Sequence, residues 1–299
     1  MSAPPTLKQM QYLTALAQTG NFHQAAALCH VSQSTLSAGL KEMENLLGQN
    51  VLDRQNRKKT TLTPFGQEVL KTAKIVLNQV DTLVARAQML NNPLSGPMRL
   101  GLIPTIAPYL LPHILPSLQA EFPNMEFQIT EDLTANLIEK LNMNTIDMAI
   151  IAFPYNVTGF ESQIFYEEPF YCAAPKGIFK QNEYIKISDL ADKNVLLLED
   201  GHCLRDHALS ACALQNKEDK KTLSATSLLT LIQMVAQGHG ITLLPEMVTK
   251  HSALPPNMVL HRFKGHIPKR IIGAIWRAQN LNGANIKATL QSPALKTAH

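Results

Sequence analysis

The sequence of 299 residues has only four cysteines and no run of 18 uncharged apolar residues. Such sparse cysteine excludes a disulfide-stapled scaffold, and the missing apolar run predicts that no helix spans a membrane. The N-terminus, MSAPPTLKQMQYL, lacks the basic start and apolar stretch of a secretory signal, which predicts a cytoplasmic protein. With 45% hydrophobic and 17% charged residues, the composition is that of a globular protein of two or three domains.

Three enzyme motifs are also missing beyond Pro97: a glycine-rich phosphate loop, a metalloprotease helix motif and a nucleophile elbow. Their absence counts against an ordinary enzyme, and we expect no cofactor and no metal.

Positive charge is concentrated at the N-terminus. Residues 1–90 contain nine Lys and Arg against five Asp and Glu, which accounts for the whole net charge of +4. Four of the nine bases fall between Arg54 and Lys59. This cluster suits a wing lying along DNA phosphates, although a solvated loop has the same composition.

The first 48 residues have the pattern of helix, turn and helix. Apolar residues recur at helical spacing over 7–17, and Gly20 separates them from a short second segment that begins at Asn21. Ser32, a good N-cap, then begins a helix that continues to Gly48. Its opening Ser, Gln, Ser and Thr suit a DNA major groove, because such side chains bond phosphates and base edges. Two core-forming helices with a polar cap remain an alternative.

The stretch AAALCHVSQSTLSAGLKEMENLLGQNVLDRQNRKKTTLTPFGQEVL resembles the winged helix-turn-helix of LysR-type transcriptional regulators. That family pattern has AA, then hydrophobic-SQ-x-[ST]-hydrophobic-S, then LE-x-x-LG, then a basic segment leading to LT-x-x-G. His23 and Gln24 depart from it, since family members often carry Arg there. The resemblance implies a DNA-binding domain over residues 1–65 with double-stranded DNA as its partner. The residues implied to bind DNA are Ser32, Gln33, Ser34, Thr35, Ser37, Lys41, Arg54 and Arg57.

A long helix is predicted after this domain, over residues 66–90. Apolar residues follow near-heptad spacing there without Pro or Gly after Gly66, and about 24 residues would span roughly 36 Å. An apolar seam on so long a helix usually pairs with a second copy, which predicts dimerisation. Residues 91–97, NNPLSGP, form the expected hinge. The family resemblance implies a homodimer or homotetramer that works with RNA polymerase.

Residues 98–299 alternate short apolar runs with longer helical patterns, which predicts an α/β fold with largely parallel sheets. The predicted strands cover 98–103, 126–130, 147–151, 195–198, 223–226, 241–244 and 271–276. The resemblance implies a regulatory domain of two lobes like those of periplasmic binding proteins. Lobe I is expected at about 98–166 with 270–299 and lobe II at about 167–269, with the cleft between them as the default ligand site.

The segment LLLEDGHCLRDHALSAC, residues 196–212, follows a predicted strand and contains two cysteines. Asp200 or Gly201 would cap a helix whose first turn holds Cys203, where the helix dipole favours thiolate. His202 and Arg205 would add positive charge.

Cys203 and Cys212 are nine residues apart, which is roughly 13 Å along an intact helix. A disulfide needs about 4.4 to 6.8 Å between Cα atoms, so an oxidant that joins them must refold the segment. This spacing fits a peroxide sensor, in which one thiol forms a sulfenic acid and a second thiol captures it. It also fits two packing residues of an amphipathic helix.

The segment resembles the sensing segment of the hydrogen-peroxide-responsive LysR-type regulators, as do GLIPTIAPYLLPHILP, SATSLLTLIQMVAQGHGITLLP and KRIIGAIWR. The resemblance implies that Cys203 is the peroxidatic thiol and Cys212 the resolving thiol of a regulator of oxidative-stress genes. It implies a peroxide pocket of Thr105, Thr134, His202, Arg205, Asp206 and Arg270. Hydrogen peroxide and glutathione-linked reductants are then expected partners. The other cysteines, Cys29 and Cys172, are expected to be small buried hydrophobes.

Three alternatives remain open from the sequence. The first is a LysR-type regulator that binds a metabolite in its cleft, with passive cysteines. The second is a thiol peroxidase, since that class of enzyme also uses a reactive cysteine with a resolving partner. The third is a metal sensor whose ligands would be His202, Cys203, His207 and Cys212.

Overall fold

The computed structural model describes residues 4–53, 61–89, 94–180, 183–205, 209 and 224–296. The chain folds into two compact units: residues 1–91 with 143–145 form the first, and residues 92–142 with 146–299 form the second. Over the described ranges, no helix combines the length and the hydropathy needed to cross a membrane.

Where it is described, the N-terminal unit contains three helices, a two-stranded antiparallel hairpin and a long helix. In chain order these are α1 (Leu7–Thr19), α2 (Phe22–Leu28), α3 (Gln33–Leu47), β1 (Leu52–Asp53), β2 (Thr61–Leu62) and α4 (Pro64–Met89). Leu13, Leu16, Leu36 and Leu40 are buried among α1, α2 and α3 and form the centre of the core of this unit. The helix-turn-helix order predicted from the sequence is therefore present.

Local hydrogen bonds position α3 and the hairpin. Ser32 is the N-cap of α3, as predicted, and its Oγ accepts a hydrogen bond from Thr35 N at 3.1 Å. The buried Glu44 accepts from Val51 N at 3.0 Å and from Leu52 N at 3.1 Å. This carboxylate binds backbone donors at the start of β1, so the hairpin is attached directly to α3.

The C-terminal unit combines nine strands with six helices among its described residues. The strands are β3 (Gly96–Leu102), β4 (Met125–Glu131), β5 (Met148–Phe153), β6 (Glu161–Pro175), β7 (Leu197–Leu198), β8 (Ser224–Ala225), β9 (Thr242–Pro245), β10 (Met258–His261) and β11 (Lys269–Trp276). The helices are α5 (Ala107–Glu121), α6 (Thr134–Asn142), α7 (Leu228–Ala236), α8 (Glu246–His251), α9 (Gly283–Gln291) and α10 (Pro293–Lys296), with a short 3-10 helix at Ile187–Leu190.

The main sheet of this unit is mixed, so the prediction of largely parallel sheets is wrong. Its strand order is β10-β6-β11-β5-β3-β4, with β9 also paired to β6. The strand β3 is parallel to β4 and β5, whereas β11 is antiparallel to β5 and β6. The strands β9 and β10 are antiparallel to β6 as well. The return of β11 between β5 and β6 is what makes the centre of the sheet antiparallel.

The long strand β6 connects two hydrophobic cores. Its residues 161–169 pair with β11, and its residues 170–175 pair with β9 and β10. The lobe I core lies around β3, β5, β11, α5 and α6. The lobe II core lies around the second half of β6 and includes β9 and α7. A single strand therefore passes through both lobes.

Candidate functional site

The N-terminal half of α3 exposes the polar side chains expected to meet DNA. Ser32, Gln33, Ser34, Thr35, Ser37 and Lys41 are all exposed, and all but the cap Ser32 lie within α3. Ser32 Oγ lies 2.8 Å from both Ser34 Oγ and Thr35 Oγ1. Ser37 and Lys41 follow Gln33 at intervals of four residues and so share its helix face. The expected wing residues Arg54 and Arg57 lie outside the described residues.

The helix α4 exposes large apolar side chains. Leu83 is 61% exposed and Val84 is 54% exposed, and both belong to the near-heptad seam noted in the sequence. Exposed apolar side chains on a long helix are typical of a surface that a second helix covers.

Cys203 lies at the start of a helical turn where the two cores of the C-terminal unit meet. Residues 203–205 are helical, and Gly201 before them has a φ of 93°. The side chain of Cys203 is buried in the lobe I core, whereas the next residue, Leu204, is buried in the lobe II core. Cys203 is not part of a disulfide.

The sulfur of Cys203 has a polar partner. Cys203 Sγ lies 2.9 Å from Thr134 Oγ1, and the contact is buried. Thr134 is the first residue of α6 and is 1% exposed. The structure thus joins two of the predicted site residues, which are 69 positions apart in the chain.

Arg270 and Thr105 form a second contact among the predicted residues. Arg270 is fully buried; its Nη1 donates to Thr105 Oγ1 at 3.1 Å and its Nη2 to the carbonyl oxygen of Thr105 at 3.2 Å. Its Nε donates to Glu168 Oε1 at 2.6 Å, and Glu168 Oε2 accepts from Met247 N at 2.7 Å. The guanidinium is therefore fixed by a buried carboxylate that also binds the first turn of α8.

His202 is buried immediately before Cys203, with 9% of its surface exposed. Burial lowers the pKa of His202 from its usual 6.5, and the nearby Glu199 carboxylate opposes this only in part. Burial therefore favours the neutral form of the ring, which weakens the expectation that His202 adds positive charge beside Cys203. A neutral imidazole can still donate or accept a hydrogen bond or a proton.

This pKa shift predicts a pH effect on stability. Between the lowered folded pKa and 6.5 the unfolded chain holds more protons at His202, so stability is lost as the pH falls through this window. We expect His202→Gln to remove that loss, so that the variant gains in Tm relative to wild type between pH 7.5 and pH 5. Thermal melts over this range test it, with the exposed His239→Gln as control. A difference in Tm between wild type and His202→Gln that stays constant with pH would contradict the assignment.

Arg205 is held by neighbours on the N-terminal side of Cys203. Its Nε lies 2.9 Å from Asp200 Oδ1, and its Nη1 donates to the carbonyl oxygen of Leu198 at 3.2 Å. Both contacts join Arg205 to the turn that precedes Cys203, although the side chain of Asp200 is itself 93% exposed. The predicted Asp206 and Cys212, and also His207, lie outside the described residues.

Sequence reasoning did not identify Glu168 and Met247 as part of this region. Glu168 is separated from Arg270 by 102 residues and from Met247 by 79, so no local spacing connects them. In the sequence, Glu168 stands between Glu167 and Pro169. This context does not show which of the two carboxylates is buried.

The remaining cysteines differ from each other. Cys172 is fully buried in the lobe II core, as expected. Cys29 is only partly buried, at the end of α2, so the prediction that it is buried is wrong. No group of three or more potential metal ligands occurs within the described ranges.

Comparisons with known proteins agree with this architecture. Residues 7–67 match the model of the bacterial regulatory helix-turn-helix protein, lysR family, and residues 91–292 match the model of the LysR substrate binding domain. The transcriptional regulator EstR of Acinetobacter baylyi is 35% identical over 93% of this chain and 92% of its own length.

Two further relatives carry names connected with hydrogen peroxide or OxyR. The hydrogen peroxide-inducible genes activator of Pectobacterium carotovorum is 38% identical over 91% of this chain and 90% of its own length. The solved structure of a full-length OxyR variant from Pseudomonas aeruginosa has a TM-score of 0.76 and 33% identity, covering 98% of this chain and 95% of that one. The chain therefore belongs to the LysR family of bacterial transcriptional regulators, which are DNA-binding proteins and not enzymes.

Proposed function

We propose that this regulator senses hydrogen peroxide at Cys203 and transmits the oxidation to DNA. The observation that carries the proposal is the buried contact of 2.9 Å between Cys203 Sγ and Thr134 Oγ1. A hydroxyl at this distance can stabilise a thiolate or hold a peroxide oxygen beside the sulfur, which packing alone does not require. The similarity to a hydrogen peroxide-inducible activator and to OxyR supports the same interpretation.

The chemistry requires two thiols and one peroxide. The thiolate of Cys203 attacks one oxygen of hydrogen peroxide, which breaks the O–O bond, leaves a sulfenic acid on Cys203 and releases hydroxide. The thiol of Cys212 then attacks the sulfenic sulfur, which forms the disulfide and releases water. Together the two thiols lose two electrons and two protons, and the peroxide becomes two waters.

The surrounding residues have distinct roles in this proposal. The Thr134 and Thr105 hydroxyls would bind peroxide and the displaced water, because peroxide is a small neutral donor and acceptor. Arg270, through its contact with Thr105, would supply positive charge to the departing hydroxide. The neutral His202 would exchange a proton near Cys203. The roles of Arg205 and Asp206 follow only from the resemblance.

Disulfide formation would act as the switch. If the segment forms an unbroken helix, the bond is available only after it refolds, and a bias of about 5.5 kcal/mol is enough to invert a population from 1:99 to 99:1. Since the segment adjoins both cores, refolding would alter lobe packing and thereby the contacts between copies. Glutathione-linked reductants would reset the thiols.

The DNA-binding part of the proposal rests on α3 and α4. We infer that the exposed residues Gln33, Ser34, Thr35 and Ser37 enter the major groove, with Arg54 and Arg57 along the phosphates. The exposed apolar residues of α4 would pair two chains, and two such dimers would form a homotetramer that contacts RNA polymerase.

One comparison favours a second candidate function. EstR, whose name does not mention hydrogen peroxide, is 35% identical over 93% of this chain. This similarity fits a LysR-type regulator that binds a small metabolite in the cleft. In that case the cysteines are passive, and Cys203→Ser leaves induction intact.

Thiol mass mapping of the reduced full chain, before and after one equivalent of hydrogen peroxide, tests the proposal together with operator footprinting. We expect one intramolecular link between Cys203 and Cys212 and a changed footprint. Cys203→Ser and Cys212→Ser should each abolish both changes, whereas Cys29→Ser should retain them. If no such link forms, or if the footprint changes equally in Cys203→Ser, the proposal fails.

A further inference from the structure

Two histidines from different lobes meet at the surface of the C-terminal unit. His113 lies on α5 and His251 is the last residue of α8. Their ring centroids are 3.9 Å apart and the ring planes are tilted by 43°. Both residues are exposed, so solvent and dissolved ions reach the pair. Neither ring takes part in the contacts of Cys203 or Arg270 described above.

Both helices are anchored on the lobe cores behind the pair. On α5, Leu110, Ile114 and Leu118 are buried in the lobe I core. On α8, Met247 is buried in the lobe I core and Val248 in the lobe II core. The two imidazoles therefore project from supported helices, so less ordering is needed to bring them together.

Burial and the neighbouring positive charge favour the neutral form of His251, which is the form that can bind a metal ion. Burial, the His113 ring and Lys250 lower the pKa of His251, and Glu168 opposes them in part. Lys250 is itself paired with Glu246 at 3.1 Å, which moderates its charge. A neutral imidazole has a free nitrogen lone pair and is a preferred ligand of Zn²⁺, Cu²⁺ and Ni²⁺.

The distance between the rings is close to what a shared metal ion needs. With metal–nitrogen bonds of about 2.0 to 2.1 Å, two imidazoles bound at a right angle have centroids about 4.5 Å apart, and at a tetrahedral angle about 5.2 Å. The rings lie 3.9 Å apart, so an opening of about 0.6 Å reaches the right-angled arrangement. A right-angled arrangement is the one that octahedral and tetragonal ions adopt, whereas zinc prefers the tetrahedral one.

We propose that His113 and His251 together bind one divalent transition-metal ion of the Ni²⁺ or Cu²⁺ class, as a two-imidazole chelate between α5 and α8. Water would complete the coordination, because no group of three potential protein ligands is found in the part of the chain that the structure describes. A bound ion would join the two helices and thereby stabilise the arrangement of the lobes seen here.

Calorimetric titration of the full-length reduced protein with Ni²⁺ at pH 7.5 tests this site. Ni²⁺ is the probe because Cu²⁺ would oxidise the thiols. We expect one ion per chain, and His113→Asn or His251→Asn should each weaken that binding about 100-fold, since loss of one imidazole removes the chelate. His239→Asn, at another exposed histidine, is the matched control and should leave the affinity unchanged.

Thermal melts supply a second measurement that does not depend on the heat of binding. Ni²⁺ should raise the Tm of wild type and of His239→Asn but not that of the two site variants, and the rise should disappear at pH 5, where protonated imidazoles cannot bind metal. Melts without metal establish that each variant is folded. If Ni²⁺ binds His113→Asn and His251→Asn as tightly as wild type, the pair is a stacking contact only and the proposal is overturned.

Discussion

Glu168→Gln is expected to lower the free energy of unfolding by about 3 to 5 kcal/mol, because it leaves the Arg270 charge buried without a counter-charge. The side chains of Arg270 and Glu168 are 0% and 2% exposed, and their Nε and Oε1 atoms are 2.6 Å apart. Water cannot replace the carboxylate at such a site, and the amide of Gln carries no charge. Urea denaturation of the full chain measures the loss through the midpoint at unchanged slope.

The neighbouring pair is a matched control for this measurement. Lys269 Nζ and Glu167 Oε1 are also 2.6 Å apart, one residue away on the same two strands, but their side chains are 49% and 48% exposed. Glu167→Gln should therefore cost between about 0 and 1 kcal/mol. Equal losses in the two variants would show that burial does not determine the contribution of these pairs.

Thr134→Val is expected to slow the reaction of Cys203 with hydrogen peroxide by about 10- to 150-fold. The substitution preserves side-chain shape but removes the hydroxyl that lies 2.9 Å from Cys203 Sγ. A hydrogen bond to a charged group contributes about 1.5 to 3 kcal/mol, and each 1.36 kcal/mol corresponds to a factor of ten in rate. The second-order rate of Cys203 thiol loss, followed by rapid alkylation and mass spectrometry, measures the effect.

Thr242→Val is the control for loss of a buried hydroxyl elsewhere. Thr242 Oγ1 donates to the carbonyl oxygen of Leu196 at 2.8 Å, and Thr242 lies on β9 of lobe II. This variant should lose stability without slowing the thiol. If Thr134→Val folds normally and reacts at the wild-type rate, the hydroxyl has no part in the chemistry.

Features governed by local sequence were predictable. The cap Ser32, the start of α3 at Gln33 and the long helix α4 follow from signals within a few residues. The seven predicted strands each overlap an observed strand, because short apolar runs between helices indicate buried strands.

The strand β6 could not be predicted in the same way. Its first four residues, Glu-Ser-Gln-Ile, are exposed, and only the last of them is apolar. Pro169 also lies within the strand, and proline usually argues against a central strand. It is tolerated because the partners of β6 change at this point, from β11 to β9 and β10. That change of partners depends on tertiary structure, which single-sequence patterns do not contain.

The candidate site was accessible mainly through family resemblance. Thr134 and Cys203 are 69 residues apart, and Arg270 and Thr105 are 165 apart, so spacing alone brings none of them together. The lowered pKa of His202 likewise depends on burial in the folded protein and could not be inferred from its position beside Cys203.

The placement of Cys203 and Leu204 in separate cores has a kinetic consequence for the proposed sensor. Because these two successive side chains pack in different cores, withdrawing the first also strains the packing of the second. A partly withdrawn conformation therefore loses packing energy in both cores. We expect the segment to change conformation in one cooperative step on oxidation, without stable intermediates.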